Sequence, residues 1–125
     1  MKVFNREVGR RGEEIAAGFL QRKGYELVLR NYSTRYGEID LICKDPTGTL
    51  IFIEVKTLVS DLGTIDRLSP EDNMSRWKLH KLQRICQFFA NRYTTLVERN
   101  GWQIDLIAIT IDQGTSKLKH YRNIY

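Results

Sequence analysis

Cysteine and histidine are scarce in this 125-residue sequence, with two residues of each. Cys43 and Cys86 lie far apart and form no Cys-x-x-Cys pair, which argues against a zinc site and against a disulfide framework. We therefore expect two reduced thiols in a cytoplasmic protein. His80 and His120 have no second ligand near them in the sequence, so both are predicted to be surface or structural residues.

Long apolar runs are missing as well. No stretch approaches the roughly 18 consecutive apolar residues of a membrane-spanning helix, and the N-terminal segment has no apolar core of the kind found in secretory signals. We therefore expect no membrane partner. The sequence also has no internal repeat, low-complexity tract or linker, and its length suits one domain over residues 1–125.

Hydrophobic residues make up 42% of the sequence and charged residues 28%. This composition is typical of a globular protein with a hydrophobic core. The 20 Lys and Arg residues exceed the 15 Asp and Glu residues, for a formal charge of +5. This basic balance permits a polyanionic partner but does not identify one.

Hydrophobic spacing predicts two helices. The first is expected at residues 5–23, where Ala16 and Leu20 belong to an apolar stripe and Gly24 ends the helix. The second begins at a capping Ser69 and runs to about residue 92. A loop is expected over residues 58–68.

Five segments rich in strand-forming residues predict five strands, at residues 25–32, 36–43, 50–56, 102–111 and 117–122. The resulting order, α-β-β-β-α-β-β, predicts an α/β fold with a mixed sheet flanked by helices. Trp77 and Trp102 could stack on nucleic-acid bases. Each lies in an apolar pattern, however, so we expect both in the core.

A hairpin loop is predicted at residues 45–49, because Pro46 suits the first turn position and Gly48 suits the left-handed position. If the loop is 46–48, the numbers of paired residues sum to 94. Asp40 then faces Glu54, with Cβ atoms about 4.5–5.5 Å apart. Lys56 lies on the same face as Glu54, because side chains of a strand alternate between its two faces.

Two opposed carboxylates destabilise a sheet unless something neutralises them. Mg²⁺ suits such a position, since it takes one or two carboxylates and completes its shell with water and phosphate. This arrangement is typical of metal-assisted phosphodiester hydrolysis, in which Lys56 would orient a water or stabilise the developing charge. The alternative is an ordinary salt bridge on an exposed strand, since Glu-x-Lys alone is common.

An acid followed by acid-x-Lys on successive strands resembles the PD-(D/E)xK nuclease superfamily, which has a restriction-endonuclease-like core. More closely, the chain is similar to the YraN-like family of predicted endonucleases, which is related to the archaeal Holliday junction resolvases. The matching segments are residues 9–16, 24–25, 30–32, 37–42 and 52–57, together with Asp105.

The resemblance implies that Asp40 and Glu54 bind Mg²⁺ or Mn²⁺ and that Lys56 is the catalytic lysine. It also implies that Glu13 helps to position metal or water. Spacing alone does not exclude the neighbouring Glu14 from this role. The alternative for Glu13 is that it is simply a solvated acidic residue on the helix. Asp105 matches a recurrent family acid, although its apolar strand favours a structural role.

Basic residues occur near these motifs and predict contacts to backbone phosphates. The alternative is a solvated basic helix face. The candidate nucleic-acid-binding residues are Arg10, Arg11, Arg35, Lys78 and Lys81.

Three functions follow from these patterns. The first is a metal-dependent nuclease acting on branched or structured nucleic acid, DNA rather than RNA, with a homodimer implied by the resolvase resemblance alone. The second is a non-catalytic nucleic-acid-binding protein that keeps the nuclease fold. The third is a small interaction protein whose acidic residues are only surface charge.

Overall fold

The computed structural model describes residues 2–59, 75–97 and 100–125. The described residues form two α-helices and five strands in the predicted order, which confirms the α/β fold. Neither helix is long and apolar enough to cross a membrane. The elements are α1 (Lys2–Arg22), β1 (Glu26–Thr34), β2 (Gly37–Lys44), β3 (Leu50–Val59), α2 (Arg76–Arg92), β4 (Trp102–Asp112) and β5 (Thr115–Tyr121), with a 3-10 turn at Thr94–Leu96 after α2.

The five strands form one mixed sheet in the order β1-β2-β3-β4-β5. β3 and β4 are parallel, and the other neighbouring pairs are antiparallel. The inner part of β4 is buried from Ile104 to Ile109. Its nearly continuous apolar sequence reflects this position, because a strand covered on both faces has no solvent side.

Each helix covers one face of the sheet and closes a separate hydrophobic core. Ala16 and Leu20 of α1 pack on one face, and Leu82 and Phe89 of α2 pack on the other. Cys43 belongs to the first core and Cys86 to the second, so the sheet lies between the two buried thiols. They cannot form a disulfide within this fold.

The predicted hairpin loop is confirmed. Gly48 has a φ of 90°, and the amide of Asp45 donates to the carbonyl of Thr49 at 3.0 Å. The β2–β3 pairs are 41 with 53, 42 with 52, 43 with 51 and 44 with 50. The predicted register, in which paired numbers sum to 94, is therefore confirmed over these four pairs.

The bounds predicted for the first helix and the five strands differ from the structure by up to three residues. β3 continues through Leu58 to Val59 because it pairs with β4 as far as Ile111, so the expected loop start at residue 58 was wrong. The predicted cap Ser69 lies outside the described residues. The described α2 begins at Arg76, and the hydroxyl of Ser75 accepts a hydrogen bond from the amide of Lys78 at 3.1 Å.

The prediction that Trp77 packs in the core was wrong, because its exposure is 72%. The buried face of α2 contains Leu82, and Trp77 lies about 140° around the helix from that position at 100° per residue. Trp102 does pack against the α2-side core, where its ring meets Phe52 edge-to-face with centroids 5.4 Å apart.

Candidate active site

Asp40 lies where the ladder between β2 and β3 ends. The pair next to it in the ladder joins Leu41 to Ile53. Beyond that pair, the amide of Val55 donates a 2.8 Å hydrogen bond to Oδ2 of Asp40. The carboxylate of Asp40 thus accepts a hydrogen bond that a backbone carbonyl would otherwise accept. The predicted register, extended to a direct Asp40–Glu54 pair, did not anticipate this bond.

β2 is irregular at the same point. Ile39 and Ile42 both pack in the α2-side core, although strict alternation would place residues three apart on opposite faces. On the neighbouring strand, Asn31 has a φ of 52°, in the left-handed region. We infer that this local break in the strand turns Asp40 out of the ordinary ladder.

Glu13 reaches Asp40 from α1 because the helix lies very close to β3. A Cβ atom at Gly12 would collide with the hydroxyl of Thr57 and lie 2.9 Å from the Thr57 Cβ. Only glycine permits this approach. The carboxyl group of the next residue along α1, Glu13, thereby comes next to that of Asp40, and each carboxyl group shifts the pKa of the other.

Glu14 turns away from this cluster. Its carboxylate pairs with the guanidinium of Arg30 on β1, and its side chain is 63% exposed. Of the two neighbouring acids that spacing left open, Glu13 is therefore the one that the structure brings to Asp40.

Burial and mutual repulsion perturb all three carboxyl groups. Burial, followed by the charge of Asp40, raises the pKa of Glu13 to about 7, and the same two causes raise the pKa of Glu54 to about 7. Burial also raises the pKa of Asp40, against the opposing hydrogen bond from Val55. Asp40 is thus the central member of the cluster, with an electrostatic partner on either side.

Two ammonium groups act on this cluster from different elements. Lys78 of α2 lowers the pKa of both Asp40 and Glu54, and Lys56 of β3 lowers the pKa of Glu54. Both lysines are half-buried. Among the described residues, none of these carboxylates forms a salt bridge, so their charge is only partly balanced.

The donor set suits a hard cation that keeps most of its own water. Within the described ranges, no group of three or more His, Cys, Asp or Glu side chains forms a metal-binding cluster. Asp40 and Glu54 supply the one or two carboxylates that Mg²⁺ ordinarily takes from a protein. The two carboxylates repel each other in a half-buried position, and a cation bound between them would neutralise that repulsion.

The sequence matches the family described as Uncharacterised protein family UPF0102 over residues 12–109. The chain belongs to this family. The match includes Glu13, Asp40, Glu54 and Lys56.

Two similar UPF0102 proteins extend over nearly the whole chain. One, from Syntrophomonas wolfei, is 34% identical over 122 residues, which cover 98% of this chain and 100% of the relative. The other, from Herpetosiphon aurantiacus, is 35% identical over 119 residues, with 94% and 92% covered. Each is named simply a UPF0102 protein.

The candidate nucleic-acid-binding residues of this UPF0102 chain fall in two places. Arg10 and Arg11 are exposed on α1. Arg10 lies three residues before Glu13 and so shares its side of the helix, whereas Arg11 does not. Lys78 lies beside the carboxylates, and Lys81 and Arg35 line a groove between α2 and the β1–β2 turn.

The groove has a volume of about 640 Å³ and contains residues that the sequence pattern did not assign to a site. Trp77 was assigned to the core, and neither Tyr36 nor Phe88 was noticed. A usable signal was present: positions 77, 81, 84 and 88 recur at helical spacing as a second stripe, distinct from the buried one. The groove is lined by Thr34, Arg35, Tyr36, Trp77, His80, Lys81, Arg84, Ile85 and Phe88.

Proposed function

We propose that this chain is a metal-dependent nuclease that hydrolyses phosphodiester bonds in DNA, with Mg²⁺ or Mn²⁺ as its cofactor. One observation carries the proposal: Glu13, Asp40 and Glu54 interact within a half-buried cluster beside Lys56. Carboxyl groups whose pKa values are raised by burial and by each other are typical of functional sites. The resemblance to PD-(D/E)xK nucleases supports the same assignment.

In this proposal Asp40 and Glu54 hold the cation. When bound, Mg²⁺ or Mn²⁺ supplies Lewis-acid polarisation of a phosphate oxygen and a more acidic water. The Val55 amide fixes one oxygen of Asp40, which leaves the other carboxylate oxygen for the site. Glu13, whose carboxyl group reaches Asp40 from α1, is a positioning residue.

Lys56 is the proposed catalytic lysine. It projects from β3 beside Glu54 and acts on that carboxylate electrostatically. An ammonium group in this position can donate a hydrogen bond to a phosphate oxygen as negative charge develops there. The adjacent Lys78 adds positive charge from α2 and would help to hold the scissile phosphate against three acidic groups.

Cleavage assays with the purified chain test the proposal. We expect labelled single-stranded, flapped or four-way DNA to be cut with Mg²⁺ or Mn²⁺ and to remain intact with EDTA. Asp40→Asn, Glu54→Gln and Lys56→Met should each lower the rate by about 100-fold or more. Glu13→Gln should lower it less, because Glu13 acts through Asp40.

Glu14→Gln is the matched control for Glu13→Gln, since both residues are neighbouring acids on α1 and only Glu13 contacts Asp40. It should keep the wild-type rate. Salt-sensitive DNA binding without cutting under any of these conditions would refute the nuclease and favour the non-catalytic binding protein. If the chain neither binds nor cuts DNA, the small interaction protein is the remaining hypothesis.

Metal binding can be measured without turnover. Titration with Mn²⁺ should broaden the amide resonances of Val55 and its neighbours in the NMR spectrum, because the Val55 amide touches Asp40. Asp40→Asn should abolish the broadening. An unchanged spectrum in the wild-type chain would argue against a metal site.

Cytoplasmic location and a homodimer stay predictions from sequence.

A further inference from the structure

A second surface of the chain combines exposed aromatic rings with cations. We name it the aromatic–basic groove and define it by Tyr36, Trp77 and Phe88 together with Arg35, Lys81 and Arg84. Its residues come from the β1–β2 turn and from one side of α2. None of them belongs to either hydrophobic core.

The three rings leave an unusual amount of apolar surface in water. Trp77 is 72% exposed, Tyr36 65% and Phe88 59%. Single exposed hydrophobic residues are ordinary, but a cluster that lines one concave surface indicates a binding site.

Positive charge lies directly against these rings. The ammonium of Lys81 is 5.3 Å from the Trp77 ring centroid, and the guanidinium of Arg35 is 5.5 Å from that of Tyr36. Among the described residues that line the groove, none is acidic. A ligand that fits this surface therefore offers flat π-faces together with negative charge, as an unpaired nucleotide does.

The groove is adjacent to the carboxylate cluster. Lys78, the residue after Trp77, acts electrostatically on Asp40 and Glu54. On the other wall, Tyr36 precedes Gly37, where a Cβ atom would lie 3.1 Å from a methyl group of Ile85 on α2. Asp40 follows Tyr36 by four residues, about 13 Å along a strand. One strand of nucleic acid can reach both places.

We propose that the aromatic–basic groove binds the unpaired bases of a single-stranded segment, next to the phosphodiester held at Asp40. This inference rests on the proposed nuclease function and adds to it the class of substrate: nucleic acid with an unpaired segment beside the cleaved bond. The rings stack on the bases, and the three cations contact the backbone phosphates.

Duplex DNA and a second copy of the chain fit the groove less well. Bases of a duplex are stacked on each other and offer no free faces to Trp77. In a symmetric dimer the same patch meets itself, so Arg35, Lys81 and Arg84 would oppose their own copies without a counter-charge in the groove.

A fluorescence titration tests the inference without hydrolysis. The chain has two tryptophans, so Trp102→Phe leaves Trp77 as the only indole reporter. In EDTA, single-stranded oligo(dT) should quench this emission to saturation, while a duplex of equal length should not. With fluorescein-labelled oligo(dT), Trp77→Ala should weaken binding about tenfold. Trp77→Phe, which keeps an aromatic ring, should recover most of the affinity.

Tyr125→Ala is the matched control, because Tyr125 is also largely exposed, at 59%, but stacks on Trp102 away from the groove. It should bind oligo(dT) as the wild type does. Lys81→Ala should reduce the slope of log affinity against log salt by about one. Thermal melting of each variant checks that it is folded.

The outcomes separate this inference from the nuclease proposal. Trp77-dependent binding of single strands by a chain that never cuts DNA would support the groove and refute the nuclease. A chain that cuts DNA, but whose single-strand affinity is the same in Trp77→Ala, would refute the groove alone. Equal binding of duplex and single strands would also refute it. So would self-association that Trp77→Ala abolishes while oligo(dT) affinity stays unchanged.

Discussion

Asp40 on β2 and Asp105 on β4 are both aspartates between apolar neighbours in their strands, yet their surroundings differ. Asp105 is fully buried, but its carboxylate accepts from Gln103 and from the Asn123 amide, and Oδ2 lies 2.7 Å from Nε2 of His120. These hydrogen bonds lower the pKa of Asp105 despite the opposing effect of burial. His120 is thereby a structural residue, as expected.

Asp40 is less buried than Asp105, and its pKa is raised. It accepts one backbone hydrogen bond, and its other neighbours include the carboxyl groups of Glu13 and Glu54. Burial alone therefore does not distinguish a structural acid from a functional one. The number of donors around the carboxylate and the sign of the nearby charge make the distinction.

Alanine substitution should separate the two aspartates most clearly. Asp105→Ala leaves buried donors without an acceptor and should lower the free energy of unfolding by about 3 kcal/mol or more. Asp40→Ala loses the Val55 bond but relieves repulsion at Glu13 and Glu54, so its effect should stay within about 1 kcal/mol. Urea denaturation followed by circular dichroism measures both.

A similar loss in the free energy of unfolding in both variants would contradict this distinction between the two aspartates. Asp40 would then be a structural residue like Asp105, and its role in a metal site would lose its main physical argument. His120→Ala should resemble a weaker form of Asp105→Ala, because it removes one of the partners of that carboxylate.

The contact between α1 and β3 can be disturbed without touching either aspartate. Gly12→Ala places a methyl group against Thr57 and should cost about 1–3 kcal/mol by overpacking. It should also slow DNA cleavage, because displacement of α1 takes Glu13 away from Asp40. Denaturation and cleavage assays on the same protein preparation measure the two effects.

Gly9→Ala is the internal control for that substitution. A Cβ at Gly9 meets nothing within 4 Å, so alanine should stabilise the helix by up to about 1 kcal/mol and leave cleavage unchanged. Thr57→Ala combined with Gly12→Ala should recover part of the lost stability, since it removes the hydroxyl that the new methyl group meets. Equal effects of Gly9→Ala and Gly12→Ala would contradict the close approach.

The dependence of stability on pH sharpens the comparison, with an expected change of a few degrees in melting temperature. Glu13 and Glu54 have pKa values of about 7 in the folded chain, above their ordinary value of 4.5. Their contribution is greatest below pH 4.5 and is lost as the pH rises through 7. Asp105 behaves oppositely: its stabilising contribution is present above its ordinary pKa of 3.8 and is lost as the pH falls through its lowered value.

Mn²⁺ or Mg²⁺ should therefore raise the melting temperature by a few degrees at about pH 8 and have little effect at about pH 5.5, where the cluster is largely protonated. Asp40→Asn should remove this effect of the metal on the melting temperature. It should not change the loss of stability at low pH that Asp105 causes. A metal effect of equal size in Asp40→Asn would place the cation elsewhere.

Much of the fold could be predicted because local signals agree with each other. The residues of the 45–49 loop specify the hairpin, and the hairpin sets the β2–β3 register. The confirmed register ends at the pair Leu41–Ile53, one position short of Asp40 and Glu54, and the Asp40 carboxylate nevertheless acts electrostatically on Glu54. The nearly continuous apolar run of β4 likewise reflects a strand that is covered on both faces.

The rest depends on contacts between residues distant in sequence. Neither the Val55 amide bound to Asp40 nor the packing of Gly12 on Thr57 leaves a local pattern. The choice of Glu13 over Glu14 likewise depends on distant contacts, of Glu13 with Asp40 and of Glu14 with Arg30. Trp77 was misassigned for a different reason: an aromatic residue at helical spacing was assumed to face inward, although α2 carries two separate stripes.

The two free thiols provide a way to observe the opening of each side of the sheet separately. Cys43 lies on β2 and is covered by α1, whereas Cys86 belongs to the buried face of α2, and burial raises the pKa of both, that of Cys43 to about 12. Alkylating reagents react with the exposed thiolate, so neither cysteine should be modified in the closed protein. Mass spectrometry of the labelled peptides would then report, cysteine by cysteine, whether one helix lifts from the sheet before the other.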